Sequence, residues 1–418
     1  MYSLCSKLLT SFNPTHCLIR WKHYDVTIVG GGIMGMSSAF FLSKRVPSSS
    51  ICVLERDRTY SMASTPRSVG SIRQQFSLRE NIQLSSYSFD FLQNINSQLR
   101  VDDPIDIGFT SGGYCFLATE RMRDNLLENN KIQLENGAEV ELIEACDLKQ
   151  RFPWINPEGV SLASLGRGRE GWFDPWLLLN AFKIKIHSLD IDVINGDVIK
   201  IDMSRGKISG LTFVDSNGSK SEITCSHLII AAGAWSDSVI KMVNPEFGLP
   251  IRPRKRMVFV YKCKDFHDTT FPMLIDSSGV YTRREGTHDT FICGKSPDTD
   301  KDTDTLDLEV EYEFFDKEIW PALAHRVPAF EAIKVVSGWA GTYEYNTLDQ
   351  NGIMGIHDKV NNLYLVGGFS GHGIQQSPAV GRVMSELVLD GETHSIDLKR
   401  MGYERVRDRN PLKERNII

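Results

Sequence analysis

The sequence predicts an α/β fold: a helix-covered, Rossmann-like sheet built from discontinuous segments, with an α+β part carrying an antiparallel sheet inserted between them. Three observations predict it. Near the N-terminus an apolar strand at residues 24–29 runs into the glycine-rich turn Gly30-Gly31-Gly32-Ile33-Met34-Gly35 and then into an apolar helix at 36–42. Near the C-terminus the pattern returns, with an apolar strand at 363–366, the glycines of Gly367-Gly368-Phe369-Ser370-Gly371-His372-Gly373, and a helix at 377–389. Between them, residues 249–295 alternate short strands and turns, as an antiparallel sheet does.

The first unit carries the most information. Gly30, Gly32 and Gly35 fill the spacing of a dinucleotide fingerprint: the first permits the turn, the second lets the backbone approach a pyrophosphate, and the third lets helix and strand pack closely. Ile33 and Met34 open the helix, whose unpaired N–H groups and partial positive charge suit phosphates. A second apolar strand, residues 51–54, ends in Glu55, placed to accept hydrogen bonds from a ribose diol and to repel an extra ribose phosphate; Arg56 follows it. An adenine dinucleotide is the expected ligand.

The rest of the chain follows in order. A Ser/Thr-rich connection at 59–71 leads to a helical stretch at 78–99, a strand at 108–117, a helix and strand at 121–144, and a short helix at 147–152. Residues 171–175 read as a turn, with Asp174 as N-cap and Pro175 in the first helical turn. Short strands at 191–193 and 198–201 precede a hairpin around Asn217-Gly218, and the apolar run 228–233 ends in Ala231-Ala232-Gly233. A charged stretch at 298–313 leads to a helical segment, and strand pattern resumes at 334. The expected boundaries are 24–100, 166–245 and 335–395 for the cofactor domain, 101–165 and 246–334 for the substrate domain, and 396–418 for a tail that docks or is solvated.

Composition narrows the function classes. The net charge of −6 gives no electrostatic case for nucleic acid, and no apolar run approaches the roughly 20 residues that span a bilayer. The eight cysteines are scattered without C-x-x-C pairs or metal-ligand spacing, so they read as free thiols in a reducing compartment, with no metal site expected. Cys52 and Cys225 sit in strand-like runs and read as core. The first 24 residues contain no acid and carry Lys7, Arg20 and Lys22 among serines, the composition of a mitochondrial presequence over 1–23. The basic cluster Arg252, Arg254, Lys255 and Arg256, and Arg67, read either as a contact for an acidic substrate or as solvated charge.

The second glycine loop has more glycine than a plain connection needs, so close approach to a flat ligand is expected, with the following helix N-terminus facing charge on a reduced ring. Together, Val29-Gly30-Gly31-Gly32-Ile33-Met34-Gly35 and Gly368-Phe369-Ser370-Gly371-His372-Gly373 resemble the D-amino-acid oxidase superfamily, in its sarcosine oxidase and dimethylglycine dehydrogenase branch. Ala231-Ala232-Gly233-Ala234-Trp235-Ser236 resembles that family's middle FAD segment, and 343–349 its late loop near the flavin; the likeness runs over about 24–391. It implies FAD as cofactor. Gly30, Gly32, Ile33, Met34 and Gly35 would serve the pyrophosphate, Glu55 and Arg56 the adenosine side, and Val198 the adenine. Ser64 and Ser68 lie in the loop wrapped around the cofactor, Ala232, Gly233 and Trp235 in the middle segment, and Gly371, His372, Gly373 and Ile374 along the ring. Arg73, His372, Gln375 and Tyr343 are the implied catalytic set. Arg73 and Gln375 would position a carboxylate, His372 would act as base or hold the cofactor, and Tyr343 would stack on substrate or pack in the core.

Departures from the family refine this. Gly341, Thr342 and Tyr343 supply no thiol and 59–73 no histidine, so neither of the branch's covalent tethers is present and FAD is expected to be held non-covalently. Gln375 replaces a carboxylate-binding lysine and keeps a donor without its charge. Ile292 stands where a lysine promotes reaction with oxygen. The Gly-His-Gly-Ile-Gln-Gln run with a tail ending Asn-Ile-Ile is most similar to a mitochondrial member associated with respiratory complex I assembly. That implies complex I subunits or assembly factors as partners and the matrix, or the matrix side of the inner membrane, as location. The expectation is a mitochondrial FAD-dependent oxidoreductase acting on a CH–NH group of a small carboxylate-bearing amine. The alternatives are an amino-acid dehydrogenase with no assembly role and a 2-hydroxy-acid dehydrogenase.

Overall fold

The computed structural model describes residues 22–286 and 289–415. The acid-free lead through residue 21, Cys5, Cys17 and the terminal Asn-Ile-Ile lie outside the described residues. Along the chain the strands are β1 (Lys22–Val29), β2 (Ile51–Glu55), β3 (Ser71–Ile72), β4 (Tyr114–Ala118), β5 (Val140–Glu144), β6 (Leu162–Gly166), β7 (Gly171–Trp172), β8 (Asp192–Ser204) and β9 (Lys207–Asp215). They continue as β10 (Lys220–Ile230), β11 (Ile251–Lys262), β12 (Met273–Ile275), β13 (Tyr281–Arg284), β14 (Thr290–Gly294), β15 (Lys334–Asn346), β16 (Ile353–His357) and β17 (Val360–Gly367).

A seven-stranded sheet joins β1, β2, β8, β9, β10, β17 and β16. Its centre is parallel: β1 pairs with β2 and β10, β2 with β8, and β10 with β17. Both faces are covered, so Ile28, Val53, Ile229 and Leu363 are fully buried and the strands read as continuous apolar runs. The two short strands expected at 191–193 and 198–201 are one strand, β8. Its first residues pair with β2, and after Asn195 it turns to pair with β9, with register shifts at Val198/Lys200 and Asp202/Met203. Bulges bend a strand without ending it.

An eight-stranded sheet runs β15-β11-β14-β13-β12-β4-β6-β5. It is antiparallel except that β12 and β4 pair in parallel. Those two strands belong to the two separate insertions, and a long excursion through the other sheet frees them from the hairpin constraint that would make them antiparallel. β15 lies at this sheet's edge, paired with β11, although residues from 335 onward were expected on the cofactor side. An aromatic cluster, including Phe259, Phe271, Phe291 and Phe330, fills one face. The turn expected at 171–175 begins with β7, which pairs with β3.

Three helices pack against the first sheet. Ile33–Ser43 is buried over nearly its whole length; Pro175–Ser188 opens on Asp174, whose carboxylate accepts from the N–H groups of Trp176 (2.8 Å) and Leu177 (3.0 Å). The helix expected from 377 begins at Gly373 and runs to Asp390, with Pro378 inside it. Pro378 has no N–H for the Ile374 carbonyl. The Ser377 hydroxyl donates to that carbonyl instead, at 2.9 Å, and the helix continues unbroken. The earlier start puts Ile374 and Gln375 in the first turn.

The described tail, 396–415, docks on the body of the protein through its buried residues. Arg405, 6% exposed, donates to Asp349 Oδ2 (2.8 Å) and to the Asn351 and Gly352 carbonyls; Asp349 also accepts from Leu412 N–H. The Glu414 carboxylate accepts from Ser77 N–H (2.6 Å) and from Leu78 N–H and Asn81 Nδ2. It thereby caps the helix Arg79–Gln93, whose N-cap position, Leu78, has no acceptor of its own.

Candidate active site

Both glycine loops open onto one cavity of about 800 Å³ between the two sheets. Every site residue predicted from sequence lines it except Gly35. Gly35 is instead a packing residue: a Cβ there would lie 1.9 Å from the Gly30 carbonyl oxygen. Gly30, at φ +106°, packs as tightly against Ala231. Gly32 is different. Its φ of −68° suits any residue, and the nearest atom to a built Cβ is Thr65 Oγ1 at 3.7 Å, so the space above it is open.

The cavity suits an elongated anionic dinucleotide at both ends. The helices starting at Ile33 and Gly373 have no side-chain N-cap hydrogen bond and no acid in their first turns, so their N-terminal N–H groups remain available. Ile33 N–H lies 3.4 Å from Thr65 Oγ1, and the Tyr60 hydroxyl donates to the Gly31 carbonyl of the same turn at 3.0 Å. On the adenosine side, Glu55 accepts from Gly31 N–H and Asp57 N–H, both at 2.8 Å, and burial pushes its carboxyl up from the ordinary value. Arg56 lies over the Trp235 ring at 3.9 Å, beside Val198, Ala232 and Gly233. Ser64 donates to the Thr342 carbonyl, tying the wrapping loop to the late loop, and Ser68 accepts from Gly70 N–H at 3.1 Å.

At the other end sits Arg73, 1% exposed, its guanidinium 4.0 Å over the Phe76 ring. It donates to the Gln75 carbonyl and, at 3.4 Å, to His372 Nε2. An arginine can only donate, so His372 Nε2 is the acceptor and its proton sits on Nδ1. Burial and Arg73 hold the imidazole pKa down at about 3. That removes His372 from the expected role of base: its accepting nitrogen is engaged and the ring stays neutral, so its work is to hold Arg73. Gln375 Oε1 accepts from Arg73 N–H (2.9 Å) and from Ser85 Oγ (3.3 Å), while its Nε2 makes no hydrogen bond among the described residues. Fixing the oxygen fixes which way the amide donor points. The Tyr343 ring packs on Gly371, where a Cβ would come within 2.7 Å of it.

The structure gives the basic cluster and Arg67 partners within the chain. The basic cluster is not simply solvated: Arg254, Lys255 and Arg256 meet the chain's own acidic stretch. Arg256 makes a two-pronged ion pair with Asp302 (2.7 and 2.9 Å), Arg254 pairs with Asp304, and Lys255 with Asp307 and Glu311. Arg256 also lines the cavity, 5.0 Å from the centre of the Tyr343 ring. Arg67 is tied to the Ala340 and Ser61 carbonyls. Ile292 is buried in β14 and does not reach this cavity; Lys295, just past the strand end, does, with its Nζ 2.9 Å from Glu318.

Sequence reasoning missed several residues. Tyr114 and Tyr281 come from β4 and β13, and only the sheet order brings them to the same wall. Thr65 and Glu344 carried a signal, a hydroxyl in the wrapping loop and an acid between two tyrosines in the late loop. Glu344 accepts from Phe369 N–H at 3.4 Å, and burial raises its carboxyl to about 7. Among the described residues no cluster of His, Cys, Asp or Glu could hold a metal ion, and no helix is long and apolar enough to cross a membrane.

Comparison with known proteins agrees with this geometry. The sequence pattern of the family DAO, FAD dependent oxidoreductase, matches residues 25–387. FAD-dependent oxidoreductase domain-containing protein 1 of Xenopus laevis is 45% identical over 446 aligned positions, covering 100% of this chain and 89% of its own length. A more distant relative, monomeric sarcosine oxidase of Bacillus sp. (strain B-0618), is 25% identical over 90% of this chain and 95% of its own. Among solved structures, L-proline dehydrogenase from P. horikoshii superposes with a TM-score of 0.80 at 25% identity, over 93% of this chain and 98% of its own.

Proposed function

The chain belongs to the FAD dependent oxidoreductase family, DAO, and from that membership we propose that it oxidises the C–N bond of a small amine bearing a carboxylate. One observation carries the reading. A single cavity holds both uncapped glycine-loop helices and, at the ring end of the second loop, the cluster Arg73, His372, Gln375 and Tyr343. FAD, when bound, supplies the two-electron acceptor for the hydrogen on carbon next to nitrogen. The protein's own residues do the rest. Arg73 and the Gln375 amide donate to the substrate carboxylate, and His372 keeps the guanidinium in place from behind. The phenols of Tyr343, Tyr114 and Tyr281 give the pocket an apolar wall with polar tips. The amine enters in its neutral form, so the cluster needs no charged base. The sarcosine oxidase and L-proline dehydrogenase relatives, whose names each carry an amino-acid substrate, support the substrate class.

The test is anaerobic titration of the purified flavoprotein with N-methyl amino acids, cyclic and D-amino acids and 2-hydroxy acids. Bleaching of the oxidised flavin band by an amino acid is the expected result. Bleaching by hydroxy acids alone would overturn the C–N assignment.

A second reading is a mitochondrial flavoprotein that serves respiratory complex I assembly. The acid-free basic lead supports the location. The replacement of a charged carboxylate ligand by Gln375 supports a diminished catalytic demand. Affinity capture from mitochondria tests it: complex I subunits or assembly factors should co-purify. Their absence, with brisk amine turnover, would discard it.

A further inference from the structure

Glu344 is a titratable group in the cavity wall that the proposed reaction does not use. It sits on β15, and its neighbours include glycines of the middle segment and of the second glycine loop. Its Oε1 lies 3.4 Å from the Cβ position of Gly373, and its Oε2 lies 3.4 Å from that of Gly367 and 3.9 Å from that of Gly233. Gly373 in turn faces Met34 in the first turn of the fingerprint helix, whose Cε is 2.9 Å from the Gly373 Cβ position. The carboxylate therefore stands where the fingerprint helix, the middle segment and the second glycine loop meet.

Its partners are few. The groups that favour its charged form are the backbone N–H groups of Gly368 and Phe369, with no cation among them. A carboxylate offers about four acceptor positions, and a buried one left short of donors is costly. The Glu344 side chain opens on the cavity, so what fills the cavity is placed to supply further donors. The pyrophosphate of a dinucleotide is an acceptor and would be repelled. The ribose diol faces Glu55 at the far end. Between pyrophosphate and ring the cofactor is a polyol, and hydroxyls that lose water on burial need acceptors.

We propose that Glu344 holds the ribityl chain of the flavin, its carboxylate accepting hydrogen bonds from the ribityl hydroxyls. The proposal rests on the assignment of this cavity to FAD. It gives the site a third anchor, between the helix that takes the pyrophosphate and the loop that takes the ring.

The experiment uses the full chain stripped of flavin, as wild type, Glu344→Gln and Glu344→Leu, titrated with FAD and separately with ADP by calorimetry. Loss of hydrogen bonds to a charged acceptor should weaken FAD binding by Glu344→Leu about tenfold or more. ADP, which has no ribityl chain, should bind all three proteins alike, and the absorption maximum of bound flavin should not move. Glu344→Gln keeps an acceptor oxygen and should lose less; if the leucine variant does not fold, a loss of about threefold for FAD alone in the glutamine variant carries the test. Unchanged FAD affinity, a parallel loss for ADP, or a shifted flavin band would each overturn the proposal. A wild-type protein that binds ADP but not FAD would overturn the cofactor assignment instead.

Discussion

The three fingerprint glycines can be separated by experiment, because each meets a different neighbour. Gly35→Ala places a methyl 1.9 Å from the Gly30 oxygen and 3.3 Å from Ile28 Cγ2, so helix and turn must part. Overpacking of this kind costs about 1–3 kcal/mol. With about 2.1 cal/mol/K of unfolding entropy per residue, a cooperative chain of this length loses roughly 1 °C of Tm per kcal/mol, so a fall of about 1–4 °C is expected. Gly32→Ala meets nothing closer than Thr65 Oγ1 at 3.7 Å and keeps an ordinary φ. Its flavin-free Tm should match wild type within about 1 °C. Its methyl nevertheless stands where the pyrophosphate has to approach the helix N-terminus. Pushing the phosphates away forfeits at least one hydrogen bond to a charged group, about 1.5–3 kcal/mol, or roughly 10- to 150-fold in affinity. The assays are calorimetric melting of the flavin-free protein and FAD titration by flavin fluorescence. Gly32→Ala binding FAD like wild type would refute the placement of the pyrophosphate over this turn. A stability loss equal to that of Gly35→Ala would refute the reading of the free space.

Four further outcomes are expected. Arg73→Met, close to isosteric over the Phe76 ring, should retain FAD within about threefold while amine-dependent flavin reduction falls roughly 10- to 150-fold, the loss of a charged hydrogen-bonded contact; normal reduction would remove Arg73 from substrate binding. Asp302→Asn leaves the nearly buried Arg256 without its carboxylate and should cost about 3 kcal/mol on melting, with a raised KM from the neighbouring Tyr343 wall; an unchanged Tm would show the pair to be idle. His372 binds a proton near pH 6.5 when unfolded and only near pH 3 when folded, so it makes stability fall as pH drops below 6.5. His372→Asn should flatten that slope in flavin-free melts, and an unaltered slope would place the titration elsewhere. Glu414→Ala strips the acceptor from Ser77 N–H and Asn81, so amide exchange at the start of Arg79–Gln93 should quicken and stability fall by about 1–3 kcal/mol; protection like wild type would mean the cap contributes nothing.

By itself the sequence determined what local geometry determines. The spacing of Gly30, Gly32 and Gly35, set between an apolar strand and an apolar helical run, specified a strand, turn and helix, and the acid ending β2 belongs to the same unit. Asp174 with Pro175 specified a helix start because cap and first turn are neighbours in the chain. The glycines at 367–373 announced a second close approach for the same reason. The parts of the cavity lining that the two glycine loops supply were legible in this way.

What only the tertiary structure decided lies across long separations. Glu414 caps a helix 337 residues earlier in the chain, and Arg256 finds Asp302 46 residues on. Neither pairing has a local spacing that announces it, so the basic cluster read as a substrate contact or solvated charge until the fold laid the acidic stretch over it. β4 meets β12 in parallel because topology, not a turn, joins them, and that contact brings Tyr114 and Tyr281 to one wall. Glu344 looked like an ordinary acid beside tyrosines. The glycines of the middle segment and of the second loop surround it only in the folded chain, because a glycine's missing side chain shows in sequence while whatever fills that space does not.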